Sequence, residues 1–258
     1  DLTCAGWIRE HLDLIPDPGR RSLIEKVLTR YNEEAAPALP RLRRSVVYAD
    51  ANEHNVLARV EPGRLPALAG LIDFGDMIES VTIAEIAVAA AYASFGAADP
   101  LAAVLPLVAG YHRVLPLRED EIAVLDILVR TRLAVSVVNS ACRAAAEPGD
   151  PYLTVSEAPA WAALEAFARV PPRLAHCAYR DACGLSPAPH GPAVLQWLEA
   201  SAGSFAPVLD HDLRTDPVVV LDLSVGSRML GADPAGLETP RLSETVGKAM
   251  RDAGAVVG

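Results

Sequence analysis

Lysine is nearly absent from this chain. Lys26 and Lys248 are the only two, and both sit in ordinary helical contexts, so neither stands out as a Schiff-base lysine for pyridoxal phosphate. Aromatic residues are scarce as well, at 5%. Cysteine is limited to Cys4, Cys142, Cys177 and Cys183. They form no C-x-x-C pair and have no zinc-ligand spacing with His176, His190 or His211, which leaves a reduced, cytoplasmic chain with buried thiols as the default. No G-x-x-x-x-G-K phosphate loop occurs. Asp222-Leu223-Ser224-Val225-Gly226-Ser227 lacks the G-x-S-x-G arrangement of a nucleophile elbow. No apolar run reaches membrane-span length, since the Ala-rich stretch from Ile83 to Ala98 contains Glu85, and no secretory signal is present.

What is present is a large apolar fraction. Of 258 residues 51% are hydrophobic, and the mean hydropathy is +0.22, enough for a sizeable buried core. The formal charge is −10, with a pI near 5.1. That balance argues against nucleic acid as a partner. It suits an amine-bearing small molecule, and equally an ordinary solvated acidic surface.

The informative segment is Val46-Val47-Tyr48-Ala49-Asp50-Ala51-Asn52-Glu53-His54-Asn55-Val56-Leu57, followed by Gly70-Leu71-Ile72-Asp73-Phe74-Gly75-Asp76. An Asp, four residues, an Asn, and then Asp-Phe-Gly after an apolar run is the order of the catalytic and metal-binding loops of kinase-type phosphotransferases. Phosphoryl transfer needs an oriented hydroxyl and neutralised phosphate charge more than covalent chemistry. Asp50 then orients the acceptor hydroxyl and takes its proton. Asn55 and Asp73 offer oxygens to the magnesium that bridges the phosphates of ATP, and magnesium suits so sparse a donor set because it keeps several waters. Glu53 and Asp76 are candidates for contacting the acceptor. Asp50, Asn52 and Asn55 could instead be ordinary turn-formers, with Asp73 capping a strand.

Patterning predicts a short buried strand at Val46–Tyr48, a second strand at Asn55–Val60, a turn at Glu61-Pro62-Gly63-Arg64 and a third strand at Leu68–Phe74. The hairpin would bring Asn55 and Asp73 together at adjacent strand ends. Helical periodicity is expected over Cys4–Leu14 and Arg20–Glu34, with a break at Pro16-Asp17-Pro18-Gly19. Beyond the site it is expected over Val81–Phe95, Leu101–Val114, Arg118–Ala146, Ser156–Ala168 (capped by Ser156) and Pro172–Cys183. Glu85 is expected to order a loop from its helix, or else to pair with an arginine. Arg130 and Arg132, on a largely apolar helix, are expected to form ion pairs with acids near the site. Pro-rich 186–192 is the expected boundary, followed by a short helix at Ala193–Ala200, a strand at Val218–Leu223 and a helix at Ser243–Ala253.

From Tyr48 to about Tyr92 the chain resembles the aminoglycoside phosphotransferase and choline kinase-like superfamily. Ile72-Asp73-Phe74-Gly75-Asp76-Met77, Ser80-Val81 and Glu85-Ile86-Ala87-Val88-Ala89 are similar to hydroxylysine kinase-like proteins. They are similar too to the kinase-like module of class III aminotransferase fusion proteins. The resemblance continues through Gly110-Tyr111-His112, Arg130-Thr131-Arg132-Leu133 and Pro151–Glu157, and fades near Leu185. It implies an α+β protein kinase-like fold: residues 1–185 as a mostly helical C-terminal lobe with a small β-hairpin at the active site, then a linker at 186–192 and a connecting segment at 193–258. It also implies an ATP- and magnesium-dependent kinase acting on a hydroxyl of a small, amine-bearing molecule such as an amino alcohol, with no nucleic-acid or membrane partner. Only about fifty residues precede Asp50, and they do not read as a β-rich nucleotide lobe. The expectation is therefore a fragment, inactive alone and continuous with further domains in its parent protein. The superfamily's His-Gly-Asp is Tyr48-Ala49-Asp50 here. That departure supports the alternative of a non-catalytic ligand-binding or scaffolding module in a multidomain aminotransferase fusion.

Overall fold

The computed structural model describes residues 1–147, 157–189 and 196. Expectations placed on Ser156, on the helices at Ala193–Ala200 and Ser243–Ala253 and on the strand at Val218–Leu223 lie outside the described residues, Gln196 excepted. Asp1–Pro187 is one compact unit, and Ala188–Gly258 is a second. The fold is mixed: helices beside small antiparallel sheets, an α+β arrangement of kinase-like type.

The chain opens with a 3-10 segment, Ala5–Leu14, that buries Ala5, Ile8 and Leu12. Helix α1 then spans Pro18–Arg30, starting two residues before the sequence-based limit. Asp17 is the reason: its carboxylate accepts from the Arg20 amide at 2.7 Å. Pro18 supplies a preset first-turn φ, so the presumed breaker is a capped helix start. The helix continues into a π turn at Tyr31–Ala35.

Four short strands follow: β1 (Arg44–Val47), β2 (Val56–Arg59), β3 (Ala67–Leu71) and β4 (Ile78–Val81). They form two antiparallel pairs, β1 with β4 and β2 with β3. Patterning missed β4 and assigned Val81 to the following helix. Val81 instead pairs with Arg44 at the end of the β1–β4 ladder. Strand β1 is also less buried than expected, for Val46 is 65% exposed and only its alternate neighbour Val47 reaches the core.

Helix α2 (Ile83–Ala93) leaves directly from β4 and is apolar almost all round, which fits its burial. Helices α3 (Pro100–Val114), α4 (Glu119–Ala146), α5 (Glu157–Phe167) and α6 (Pro172–Ala182) match the periodic segments to within a residue or two. The long α4 is the spine of the unit, packing on α1, α2, α5, α6 and the 3-10 segment. Its first turn carries Glu119, Asp120 and Glu121 at the positive end of the helix dipole. Glu121 is fully buried and held by Arg43 at 2.8 Å.

The arginine expectation needs correcting. Arg130 is buried and bonds Asp126 one turn back at 2.9 Å, not an acid of the site. It also donates to the carbonyls of Phe167 and Val170, tying α4 to the turn between α5 and α6. The thiol expectation holds only for Cys183: Cys4 is exposed, and Cys142 and Cys177 are half-buried. Among the described residues no helix is long and apolar enough to cross a membrane.

Candidate active site

Strand β1 ends at Val47 and β2 begins at Val56, so Tyr48–Asn55 is the loop between the two small sheets. Its start is pinned from below by α2. The Glu85 carboxylate accepts from the backbone amides of Tyr48 (2.5 Å) and Ala49 (3.2 Å). Glu85 thus orders the loop, one of the two roles expected for it. The Tyr48 hydroxyl donates to the Ile72 carbonyl, and its ring meets Phe74 edge-on at 5.5 Å. A single side chain therefore ties the Asp50 loop to the Asp73 loop. Burial, then the charges of Asp50 and Asp73, hold the Tyr48 phenol pKa above its ordinary value, so it stays a donor.

Ala49 adopts φ +64° and Asp73 φ +58°, both in the left-handed region. Asp tolerates that region; Ala is strained there by about 1 kcal/mol. Glycine would relieve the strain, so Ala49→Gly should raise stability by up to about 1 kcal/mol. The check is the urea midpoint at unchanged m-value; a lowered midpoint would show that the methyl group makes compensating contacts.

Asp50 is held on both oxygens. Oδ2 accepts from Asn55 Nδ2 at 2.7 Å and Asn52 Nδ2 at 3.0 Å. Oδ1 accepts from the Tyr92 hydroxyl at 3.3 Å. Asn52 also folds the loop, its Oδ1 accepting from the amides of His54 (2.8 Å) and Asn55 (3.1 Å). Tyr92, on α2, accepts from Arg132 on α4, whose guanidinium also lies over the Tyr92 ring at 5.0 Å. Arg132 thus reaches Asp50 through a tyrosine and not by the direct ion pair expected for it. Burial raises the Tyr92 pKa; Arg132 opposes the rise and Asp50 adds to it, leaving a neutral phenol that donates to the carboxylate.

The hairpin places Asn55 and Asp73 side by side, since Val56 pairs with Leu71 and the Ile72 amide donates to the Asn55 carbonyl at 3.0 Å. Strand β3 stops at Leu71, so Asp73 lies in the loop beyond it, exposed, with Oδ1 accepting from the Gly75 amide at 3.2 Å. Asp50, Asn55, Asp73, Asp76, Tyr92 and Arg132 all line one open cleft of about 780 Å³. Glu53 does not line it; Glu53 is exposed beside His54 at 3.8 Å. Among the described residues no three His, Cys, Asp or Glu side chains converge as a metal cage. The donors facing the cleft are hard oxygens and few, Asp73 and Asp76 exposed and Asn55 buried, which fits an ion held largely by water and phosphate.

Sequence reasoning missed Asn52 and Tyr92 as partners of Asp50, and gave Arg132 an ion pair with an acid near the site where the contact runs through Tyr92. Asn52 carried a usable signal, an Asx residue two after an Asp in a loop. Tyr92 carried none, since only tertiary packing of α2 against α4 brings it in.

The profile of the phosphotransferase enzyme family matches residues 5–122. That segment, just under half of the chain, holds every element of the site except Arg132, and it supports the resemblance to the aminoglycoside phosphotransferase and choline kinase-like superfamily. Relatives include hydroxylysine kinase of Xenopus laevis, 28% identical over 171 residues, covering 64% of this chain and 46% of the relative. That of Danio rerio is 28% identical over 137 residues, covering 53% and 39%. That of Mus musculus is 24% identical over 163 residues, covering 61% and 43%. The chain spans less than half the length of these curated relatives. No solved structure matches it.

Proposed function

We propose that this chain carries the helical, acceptor-binding half of an ATP- and magnesium-dependent kinase that phosphorylates a hydroxyl of a small, amine-bearing molecule. The observation that supports this most is the Asp50 carboxylate, fixed by Asn52, Asn55 and Tyr92 at the edge of the cleft that Asp73 and Asp76 also line. A carboxylate so fixed presents its remaining lone pairs in one direction and can take the acceptor proton as the new O–P bond forms. Asp73 and the Asn55 side-chain oxygen would hold magnesium, which when bound neutralises charge on the nucleotide phosphates. Tyr48 keeps the two loops in register, a structural role we assign to it where the superfamily has histidine.

The hairpin and the loop after it bear a run of exposed apolar side chains, including Leu57, Leu65, Leu68, Ile72 and Phe74. We assign that face to the nucleotide base and to a nucleotide-binding lobe supplied by the full-length protein. Residues 1–185 are then the C-terminal lobe, 186–192 a linker and 193–258 a connecting region. A cytoplasmic setting suits the nucleotide requirement. Glu53, outside the cleft lining, and Asp76, within it, remain our candidates for acceptor contact.

A non-catalytic binding module, such as one built into an aminotransferase fusion, is the second reading; the strained Ala49 favours it. Nucleotide binding by the full-length protein separates the two. The kinase reading expects ATP affinity to depend on magnesium and to fall about tenfold or more in Asp73→Asn. Binding that ignores both magnesium and the substitution would contradict it.

A further inference from the structure

The two oxygens of Asp50 are not equivalent. A carboxylate offers about four lone-pair sites, two on each oxygen. On Oδ2 both are taken, by Asn55 Nδ2 at 2.7 Å and by Asn52 Nδ2 at 3.0 Å. Among the described residues Oδ1 receives one donor, the Tyr92 hydroxyl, at 3.3 Å. The shorter bonds come from the loop that carries Asp50, so Oδ2 is the oxygen by which the loop holds the carboxylate in place. Oδ1 keeps an open lone pair and has the weaker compensation for its charge, which makes it the better proton acceptor.

Tyr92 is itself committed. Its oxygen accepts from the Arg132 guanidinium, which also lies over its ring at 5.0 Å. Donation from a cation polarises the O–H bond and strengthens the hydroxyl as a donor to Oδ1. Other arginines around α4 end on carboxylates: Arg30 on Asp126 at 3.2 Å and Arg43 on Glu121 at 2.8 Å. Arg132 is half-buried as they are, yet it donates to two hydroxyls, Tyr92 and Ser136 (2.9 Å), and to no carboxylate among the described residues. Its charge therefore acts through the hydroxyl it touches. The loop it serves is otherwise ringed by acids, with Glu85 under the Tyr48 and Ala49 amides and Asp73 and Asp76 in the same cleft.

We infer that Oδ1 of Asp50 is the atom that takes the acceptor proton, and that Tyr92, backed by Arg132, is the positioning pair that aims it. This rests on the proposed kinase function and adds to it the reacting oxygen and two residues outside the catalytic loop. In the step, the acceptor O–H bond breaks and its proton moves to Oδ1. The acceptor oxygen bonds the γ-phosphorus of ATP, and the bond from that phosphorus to the oxygen of the leaving ADP breaks. Oδ1 then carries the proton on one lone pair and still accepts from Tyr92 on the other. Arg132 bonds neither Asp50 nor the reacting atoms, so whatever it contributes to the chemistry passes through the Tyr92 hydroxyl.

The test is a double-variant cycle on the full-length protein, read as steady-state phosphate transfer from magnesium-ATP to hydroxylysine and to water. Tyr92→Phe keeps the ring under Arg132 and removes only the hydroxyl. It should lower kcat about tenfold, the scale of one lost hydrogen bond to a charged group, with KM for ATP and for hydroxylysine within about threefold of the parent. Arg132→Gln should lower kcat about fivefold, and Arg132→Lys, which keeps the charge, should recover about half of that loss. The double variant Tyr92→Phe, Arg132→Gln should be within about twofold of Tyr92→Phe alone, because both changes cut one path. Urea unfolding of each variant checks that it is folded. Should Tyr92→Phe fail to fold, the Gln and Lys variants at Arg132 decide the matter by loss and recovery of kcat.

A Tyr92→Phe kcat within twofold of the parent, a loss confined to KM, losses that multiply in the double variant, or no recovery with lysine would overturn the inference. With an active parent, those results remove the Tyr92–Arg132 pair and leave the kinase standing. A parent that transfers phosphate neither to hydroxylysine nor to water removes the kinase reading and the inference with it.

Discussion

Asp50→Asn in the full-length protein lowers kcat for phosphate transfer by about a thousandfold, within the range of a lost general base, and leaves ATP affinity within a few-fold of the parent. The asymmetry follows from geometry. Asp50 lines the cleft, where we place the acceptor, and is bonded to Asn52, Asn55 and Tyr92. The residues assigned to magnesium and nucleotide belong to the neighbouring hairpin end. Asparagine preserves shape, and its oxygen can still accept one of the present hydrogen bonds, so the loop should remain folded. What it loses is the capacity to take a proton. Single-turnover transfer from radiolabelled ATP measures the effect. A kcat within threefold of the parent would remove Asp50 from the chemistry, and a parallel loss of nucleotide affinity would assign it to phosphate binding.

Arg130→Ala destabilises the unit by about 3–5 kcal/mol, the cost of breaking a buried charge pair from one side. Asp126 keeps only Arg30 at 3.2 Å, and its Oδ1 already lacks a hydrogen-bond partner. The carbonyls of Phe167 and Val170 lose their donor as well. The link from α4 to the α5–α6 turn is thereby cut in the interior, where water cannot replace it. Chemical denaturation of the 258-residue chain reads the change, and a loss below 1 kcal/mol would mean that Arg30 and solvent compensate. Arg130→Met, which keeps volume but removes charge, should be less damaging only when combined with Asp126→Asn, since the isolated carboxylate is the main liability.

The contrast between the arginines explains how far the sequence could be read. Arg130 and Asp126 are four apart on a helix whose periodicity was clear, so their pairing was available from spacing alone. Looking toward the site for a partner obscured it. Arg132 is two residues on, and its role depends on which face α4 turns to α2. No local pattern reports that. Asp50, Asn55 and Asp73 could be nominated together because phosphoryl transfer would ask for fixed chemical types at short separations around a hairpin, and the three do line one cleft. Strand β4 was not: four residues, Ile78–Val81, lie against an Ala-rich helical run, and what makes them a strand is pairing with β1 more than thirty residues earlier. The helix limits were close except where a cap decided them. Asp17 starts α1 by accepting an amide proton, and a Pro-Gly pair beside it looked like a break.

The substitution of Tyr48-Ala49 for His-Gly is resolved in physical terms at one position and left in tension at the other. Tyr48 finds a hydrogen bond across to the Asp73 loop and an aromatic partner in Phe74, so the loop is supported from a new direction. Ala49 keeps the backbone shape that glycine would adopt freely and bears the strain of it. The strain is tolerated because Glu85 fixes the adjoining amides from below.

The measurement that tests the account most directly is transfer of the γ-phosphate of ATP by the full-length protein, with and without magnesium, to hydroxylysine and to a panel of amino alcohols. The account predicts magnesium-dependent phosphorylation of a hydroxyl, abolished to within about a thousandth of the parent rate by Asp50→Asn. Absence of transfer to every acceptor, together with nucleotide binding indifferent to magnesium, would contradict it and leave a kinase-like fold that binds without catalysing.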